Sequence, residues 1–161
     1  MGTTSIRPMT SEDKPSVMRI LRSTPEFLHP EVVVAEELID AFLEDPVASG
    51  YYIRVAEFDG DIAGYVCYGN TPLTEATWDI YWIAVANDKQ GYGIGRILMK
   101  HAEDDIKKMH GKLIVVETSG KPEYNKTRRF YDTLNYQSVC RIPDYYAQGD
   151  DLVMFIKRLG Q

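Results

Sequence analysis

The stretch ANDKQGYGIGRILMK, residues 86–100, carries glycines at alternate positions 91, 93 and 95, set between two strongly patterned segments. Before it runs TWDIYWIAV, residues 77–85, whose aromatic and β-branched side chains predict a strand. After it Ile97, Leu98, Ala102, Ile106 and Met109 form one apolar stripe, with Lys100, Glu103, Asp104, Lys107 and Lys108 outside it. That is the pattern of an amphipathic helix. A strand, a tight glycine turn and a helix N-terminus make an anion site. The first-turn N–H groups lack helical partners, and the helix dipole adds partial positive charge there. Glycine lets a phosphate approach the backbone and permits unusual dihedrals. The turn therefore points to a ligand with phosphate or pyrophosphate.

Spacing excludes two phosphate-binding loops. A P-loop needs Lys and then Ser or Thr after its last glycine, but Arg96 and Ile97 follow Gly95. The dinucleotide fingerprint needs a third glycine three residues after the second. Counting from Gly93 or from Gly95, that position holds Arg96 or Leu98. The strand before the turn is also the fourth of the chain, not the opening strand of a βαβ unit.

The remaining segments set the frame. TTSIRPM reads as a first strand. Thr10, three residues before Asp13, starts a helix over about 11–22 with Val17, Ile20 and Leu21 inward. A proline-rich connector leads to a second helix, roughly 31–43, rich in acidic residues. YYIRVAEFD and IAGYVCYGN flank the turn signal DGD and predict a hairpin. KLIVVETS is a nearly continuous apolar run, hence a buried central strand. Gly111 suits the end of the helix before it. PEYNKTRRFYDTLN reads as a helix. YQSVCRI and DLVMFIKRL read as final strands around a polar loop, PDYYAQGDD. The order is strand, two helices, three strands, helix, strand, helix, two strands. It implies a mixed sheet with helices on both faces, in one domain over 1–161.

Composition narrows the partners. The net charge is −6, from 24 acidic and 18 basic residues, which argues against nucleic acid. Two separated cysteines, Cys67 and Cys140, form no disulfide framework and suit a reducing, cytoplasmic setting. His29, His101 and His110 form no cluster, so no metal is expected. No apolar run of about 18 residues exists, so no membrane span is expected. The N-terminus has no signal pattern, and MGTTSI has Ile6 where a myristoylation signal needs Ser or Thr. The sequon NKT at 125–127 is read as chance.

QGYGIG, residues 90–95, resembles the acetyl-CoA signature of the GNAT N-acetyltransferase superfamily: Gln or Arg, two residues, Gly, one residue, then Gly or Ala. IRPMTSED resembles that superfamily's first strand and helix. YWIAVANDKQGYGIGRILM resembles its fourth strand, pyrophosphate loop and third helix, and FYDTLNYQSV its fourth helix and the following strand. The resemblance covers nearly the whole chain. It implies a mixed α/β (α+β) fold: a central, mostly antiparallel sheet of six to seven strands with about four helices on both faces. It also implies acetyl-CoA as co-substrate and direct attack by a primary amine, on a small molecule or a peptide, in a ternary complex. A homodimer and a non-catalytic acyl-CoA-binding domain of the same fold are also consistent with it.

By position, Gln90, Gly91, Tyr92, Gly93, Gly95 and Arg96 match the loop that holds the CoA pyrophosphate. Ile83, Ala84 and Val85 match the backbone that receives the pantetheine arm where the fourth strand splays from the fifth. An N–H there would act as an oxyanion donor. Tyr131 matches the family tyrosine near the CoA sulfur, a general acid to the leaving thiolate. One departure is clear: the family often has Asn seven residues before that tyrosine, and Tyr124 stands there instead.

An acceptor amine must lose a proton before it attacks. An alkyl amine of pKa ~10.4 is neutral only about once in a few thousand molecules at neutral pH, so a base matters. The candidates are Asp79 and Tyr81, which share a strand face, and Glu117, which ends the apolar run LIVVE. The segments expected to shape the acceptor site, residues 24–46 and 142–151, are both acidic. That composition suits a cationic amine and equally a solvated acidic helix face. Tyr145 and Tyr146 are candidates for the acceptor cleft or for a dimer contact.

Overall fold

The computed structural model describes residues 2–160; Met1 and Gln161, the ends of the expected domain, lie outside the described residues. The strands are β1 (Thr4–Pro8), β2 (Tyr51–Phe58), β3 (Asp61–Asn70), β4 (Thr77–Val85), β5 (Leu113–Ser119), β6 (Gln137–Ala147) and β7 (Asp150–Arg158). The helices are α1 (Lys14–Ser23), α2 (His29–Glu44), the single turn α3 (Pro46–Ser49), α4 (Ile94–Lys108) and α5 (Asn125–Thr133). The strands form one sheet in the order β1-β2-β3-β4-β5-β7-β6. Every neighbouring pair is antiparallel except β4–β5, which is parallel.

Each face of the sheet carries its own core. On one face Val17, Ile20 and Leu21 of α1 and Val32, Ala35, Ile39 and Phe42 of α2 pack on Ile53, Val55 and Tyr65. On the other, Leu98, Ala102 and Ile106 of α4 and Tyr131 of α5 pack on Val66, Tyr68, Ile114 and Phe155. The β2–β3 hairpin turns at Asp59 and Gly60, both at positive φ (53° and 86°), as a two-residue turn matched to strand twist requires.

Four expectations need correction. Ile97 does not join the buried stripe of α4: the helix begins at Ile94, and its 3.6-residue period centres the inner face on Ile94, Leu98, Met99, Ala102 and Ile106. The left-handed residue ending α4 is His110 (φ 65°), not Gly111. The one-turn helix α3 was not expected; Asp45 caps it, accepting from the Ala48 N–H at 3.1 Å. Lastly, PDYYAQGDD is mostly strand. β6 runs to Ala147, and its register with β7 jumps between Ile142 and Ala147. Asp144 holds that bulge, donating its N–H to Asp151 Oδ1 (2.9 Å) and accepting from the Gly149 N–H (2.7 Å). An exposed edge strand has no covered face, so its sequence shows no apolar alternation.

The entry to α1 depends on one buried carboxylate. Asp13 Oδ2 accepts from the Thr10 N–H at 2.8 Å, and Arg7 grips the same carboxylate at 2.7 and 2.9 Å while also binding Glu57 at 2.7 Å. The Arg7 hydrogen bonds hold the Asp13 carboxyl below its ordinary range. A depressed folded-state pKa gives stability that is present above the unfolded-state value and lost as pH falls through the folded one. Asp13→Asn is therefore expected to cost about 2 kcal/mol at neutral pH, a difference that shrinks in urea melts as pH falls below the carboxylate range.

Candidate active site

The site is a gap in the sheet. The parallel pairing of β4 with β5 covers only Thr77–Ile80 against Leu113–Val116. At the next residue, β4 bulges. Its register with β3 passes from Trp82 opposite Cys67 to Ile80 opposite Tyr68, leaving Tyr81 unpaired. A bulge increases local twist and re-aims a strand, and from here β4 and β5 diverge. The space between them is a cleft of about 940 Å³, lined by Asp79–Val85, Val116–Ser119, the glycine loop and Tyr131.

Beyond Ile80 one edge of β4 has no strand beside it. The Ala86 N–H bonds to the Ala63 carbonyl of β3 at 2.8 Å. Antiparallel alternation then turns the peptide groups of Ala84 toward β3 and those of Ile83 and Val85 toward the cleft. Gln90 Nε2 approaches the Val85 carbonyl at 3.5 Å.

At the end of β4 the glycine loop meets α4. Gly91 and Gly93 have φ of 88° and 78°, the left-handed region that a Cβ disfavours. Gly93 is the N-cap of α4, with no capping side chain and no acid in the first turn. The Ile97 N–H takes the Gly93 carbonyl at 3.0 Å, so the helix has no acceptor for the Ile94, Gly95 and Arg96 N–H groups. A Cβ on Gly95 would lie 3.2 Å from the Phe130 ring, so this glycine lets the first turn of α4 approach α5. Lys89, Arg96 and Lys126 line the same end of the cleft, and Lys126 Nζ bonds Gln90 Oε1 at 2.7 Å. Tyr92 points away: its ring is 62% exposed and lies 5.0 Å from that of Phe58, pinning the loop to β2.

Beyond the loop, Tyr131 lines the cleft with its ring packed against Phe130, Tyr136 and Phe155 at 5.4–5.7 Å. Burial pushes its phenol well above the usual range, so it stays protonated at neutral pH. The base candidates gather on the facing strands. Asp79 lies opposite Val115 and accepts from Thr71 Oγ1 at 2.7 Å. Glu117, the next same-face position along β5, opens into the cleft; burial and the Asp79 charge raise its carboxyl pKa. Burial and Asp79 also raise the Tyr81 phenol.

Further residues at the site escaped the sequence analysis. The Tyr124 hydroxyl reaches the Glu26 carbonyl (3.2 Å) and Glu31 Oε2 (3.3 Å), tying the turn after β5 to the segment between α1 and α2. The one signal for it was its place where the family often has Asn. Thr118 also lines the cleft, as do Tyr146, an expected candidate for the acceptor cleft, and Glu26, Glu31 and Asp150 of the two acidic segments expected there. Arg128 donates to the Ser119 and Lys121 carbonyls at 2.5 and 3.0 Å and so holds the end of β5. Among the described residues no cluster of metal-ligating side chains occurs, and no helix is long and apolar enough to cross a membrane.

A seven-stranded sheet opened between a parallel pair, with a glycine loop and an uncapped helix at the opening, matches one family in particular. Residues 14–136 fit the acetyltransferase (GNAT) family, and the chain belongs to it. The chain is 31% identical over 110 residues to an uncharacterised N-acetyltransferase of Methanocaldococcus jannaschii, a match covering 65% of this chain and 64% of that one. A crystal structure from Desulfovibrio desulfuricans, described as of the GNAT family, superposes with a TM-score of 0.94 at 38% identity, covering 98% of this chain and 100% of the other. A Salmonella typhimurium protein solved with its cofactor acetyl-CoA shares the fold, with a TM-score of 0.78 at 17% identity, covering 98% and 95% of the two chains.

The loop geometry gives a direct test. Gly93→Ala places a Cβ at φ 78° with nothing nearby to clash, so its cost is backbone strain of about 1–2 kcal/mol. Thermal melting should show that loss, and titration should show weaker acetyl-CoA binding in the same variant.

Proposed function

We propose that this protein moves an acetyl group from acetyl-CoA to a primary amine. The observation that carries the reading is that the uncapped N-terminus of α4 and the free edge of β4 open into one cleft. The residues present fit the co-substrate. The first-turn N–H groups of α4, with Lys89, Arg96 and Lys126, would hold its pyrophosphate, and the Ile83 and Val85 peptide groups its pantetheine arm. When bound, acetyl-CoA supplies an activated acetyl thioester.

The chain's own groups divide the proton work. Glu117, with Asp79 beside it, takes the proton that the acceptor nitrogen sheds, directly or through water. Tyr131 gives a proton to the departing sulfur. As the N–C bond forms the C–S bond breaks, one proton leaves nitrogen and one reaches sulfur. A backbone N–H of the β4 edge stabilises the charge that develops on the carbonyl oxygen. Neither cysteine lines the cleft, so no covalent acyl-enzyme enters this account.

Calorimetric titration should show acetyl-CoA binding at micromolar or tighter affinity, abolished by Gly93→Glu; absence of binding to the wild type would overturn the reading. Tyr131→Phe should retain that affinity and lower kcat by about 10–100-fold, read as thiol release over an amine panel. An unchanged rate would remove Tyr131 from the chemistry.

Glu117 has a raised folded-state pKa, so its contribution to stability is fullest below its unfolded-state value and is lost as pH rises through the folded one. Glu117→Gln should therefore melt no lower than wild type at neutral pH while kcat falls about a hundredfold. The wild-type rate should decline on the acid side as Glu117 protonates, a limb the variant lacks.

A further inference from the structure

Resting on that reading, the two ends of the cleft differ in sign. Lys89, Arg96 and Lys126 stand at the glycine-loop end, whereas Glu26, Glu31, Asp79, Glu117 and Asp150 line the rest. Much of the acidic surface of α2 is occupied elsewhere: Glu36 and Asp40 both pair with Lys14, at 3.0 and 2.6 Å. In contrast, among the described residues Glu26, Asp79 and Glu117 have no ion-pair partner, and Asp150 has only Lys121 at 3.8 Å. The groups that shift one another here are acids and phenols. Burial chiefly raises the Tyr146 and Tyr124 phenols, and nearby carboxylates add to it: Glu117, Asp150 and Glu31 at Tyr146, and Glu31, Glu26 and Asp150 at Tyr124. Thr118, which alternates with Glu117 along β5 and so takes the opposite sheet face with Val116, is buried where it lines the cleft.

This charge pattern bears on the acceptor because of the reaction itself. The attacking nitrogen must be neutral, so the reacting end of the amine gives up its own attraction to the carboxylates. Glu31 and Asp150, away from the Asp79–Glu117 pair, can attract an acceptor only through a charge that persists when the reacting nitrogen is deprotonated. The Tyr146 ring adds an aromatic face suited to a cation. An acceptor with a free carboxylate would instead meet several like charges. The Tyr124 link between the two walls favours a slender chain over a folded protein surface.

We propose that the acceptor is a linear, carboxylate-free aliphatic amine with a second cationic nitrogen, its reacting nitrogen at Asp79 and Glu117 and its persistent ammonium held by Glu31 and Asp150 beside Tyr146.

The test compares four acceptors at saturating acetyl-CoA: a linear alkane diamine, the monoamine of equal chain length, an amino acid with a free carboxylate, and a lysine-containing peptide. Acetyl-CoA affinity is measured separately. The expected kcat/KM for the diamine exceeds that for the monoamine by about tenfold or more and falls with added salt, as screening of a charge pair requires. Titration of the diamine into the protein without acetyl-CoA should show salt-sensitive binding that the monoamine lacks. Glu31→Gln keeps an acceptor for the Leu28 N–H that Glu31 now binds at 3.2 Å. It should raise KM for the diamine about three- to tenfold while leaving the monoamine within about twofold, and Asp150→Asn should behave alike.

Equal use of diamine and monoamine, preference for the amino acid or the peptide, or no turnover with any of the four while acetyl-CoA still binds would each overturn this acceptor class and leave the cofactor assignment standing. Failure of the wild type to bind acetyl-CoA would overturn both.

Discussion

The parallel ladder between β4 and β5 stops at Ile80 and Val116, and most of what distinguishes this molecule follows from that. A sheet closes its backbone hydrogen bonds strand by strand, and a break in the interior would leave costly unpaired groups. Here the bulge at Tyr81 starts the break, the cleft carries solvent into it, and a ligand backbone can complete it. Asp79, in the last paired stretch of β4, and Glu117, the first residue of β5 past the ladder, stand on one face at the start of this opening, and Tyr131 lines it. The glycine loop sits at its far end because it is the direct continuation of β4.

Two kinds of electrostatic work share this gap. At the loop, attraction comes from fixed backbone dipoles, the free N–H groups of α4 and three cationic side chains. Farther along, it comes from carboxylates, of which Glu26, Asp79 and Glu117 have no ion-pair partner among the described residues and Asp150 has Lys121. Such an arrangement is unfavourable in the empty protein, since like charges raise the pKa values of their neighbours. Sites of this kind belong to function more often than to stability. The pairing of Arg7 with the buried Asp13 shows the contrast: there the carboxylate accepts from Arg7 and Thr10, and it joins α1 to the sheet.

Long segments with one dominant period were legible without coordinates. The strand–glycine–helix unit, the Asp59–Gly60 hairpin, the buried run of β5 and the inner face of α1 all lie where periodicity and turn chemistry put them. Segments without such a signal were not. β6 looked like a loop because an edge strand has no covered face to impose alternation. The single turn α3 is too short for a period, and Ile97 fell outside the core because the start of α4 shifted its inner face. At the site, the loop residues were legible through their spacing, and Tyr131 through its resemblance to a family position.

The sequence by itself determined that a turn suited to an anion lies at Gln90–Arg96, because glycines at alternate positions before an amphipathic helix expose the helix's N–H groups through local geometry alone. Tertiary structure alone decided which acids face the cleft. Glu36 and Glu31 stand in the same acidic stretch of α2, yet one pairs with Lys14 on the surface while the other meets Tyr124, 93 residues away in the chain. No local pattern encodes a contact of that range, since it depends on how the α1–α2 segment and the turn after β5 meet over the opened sheet.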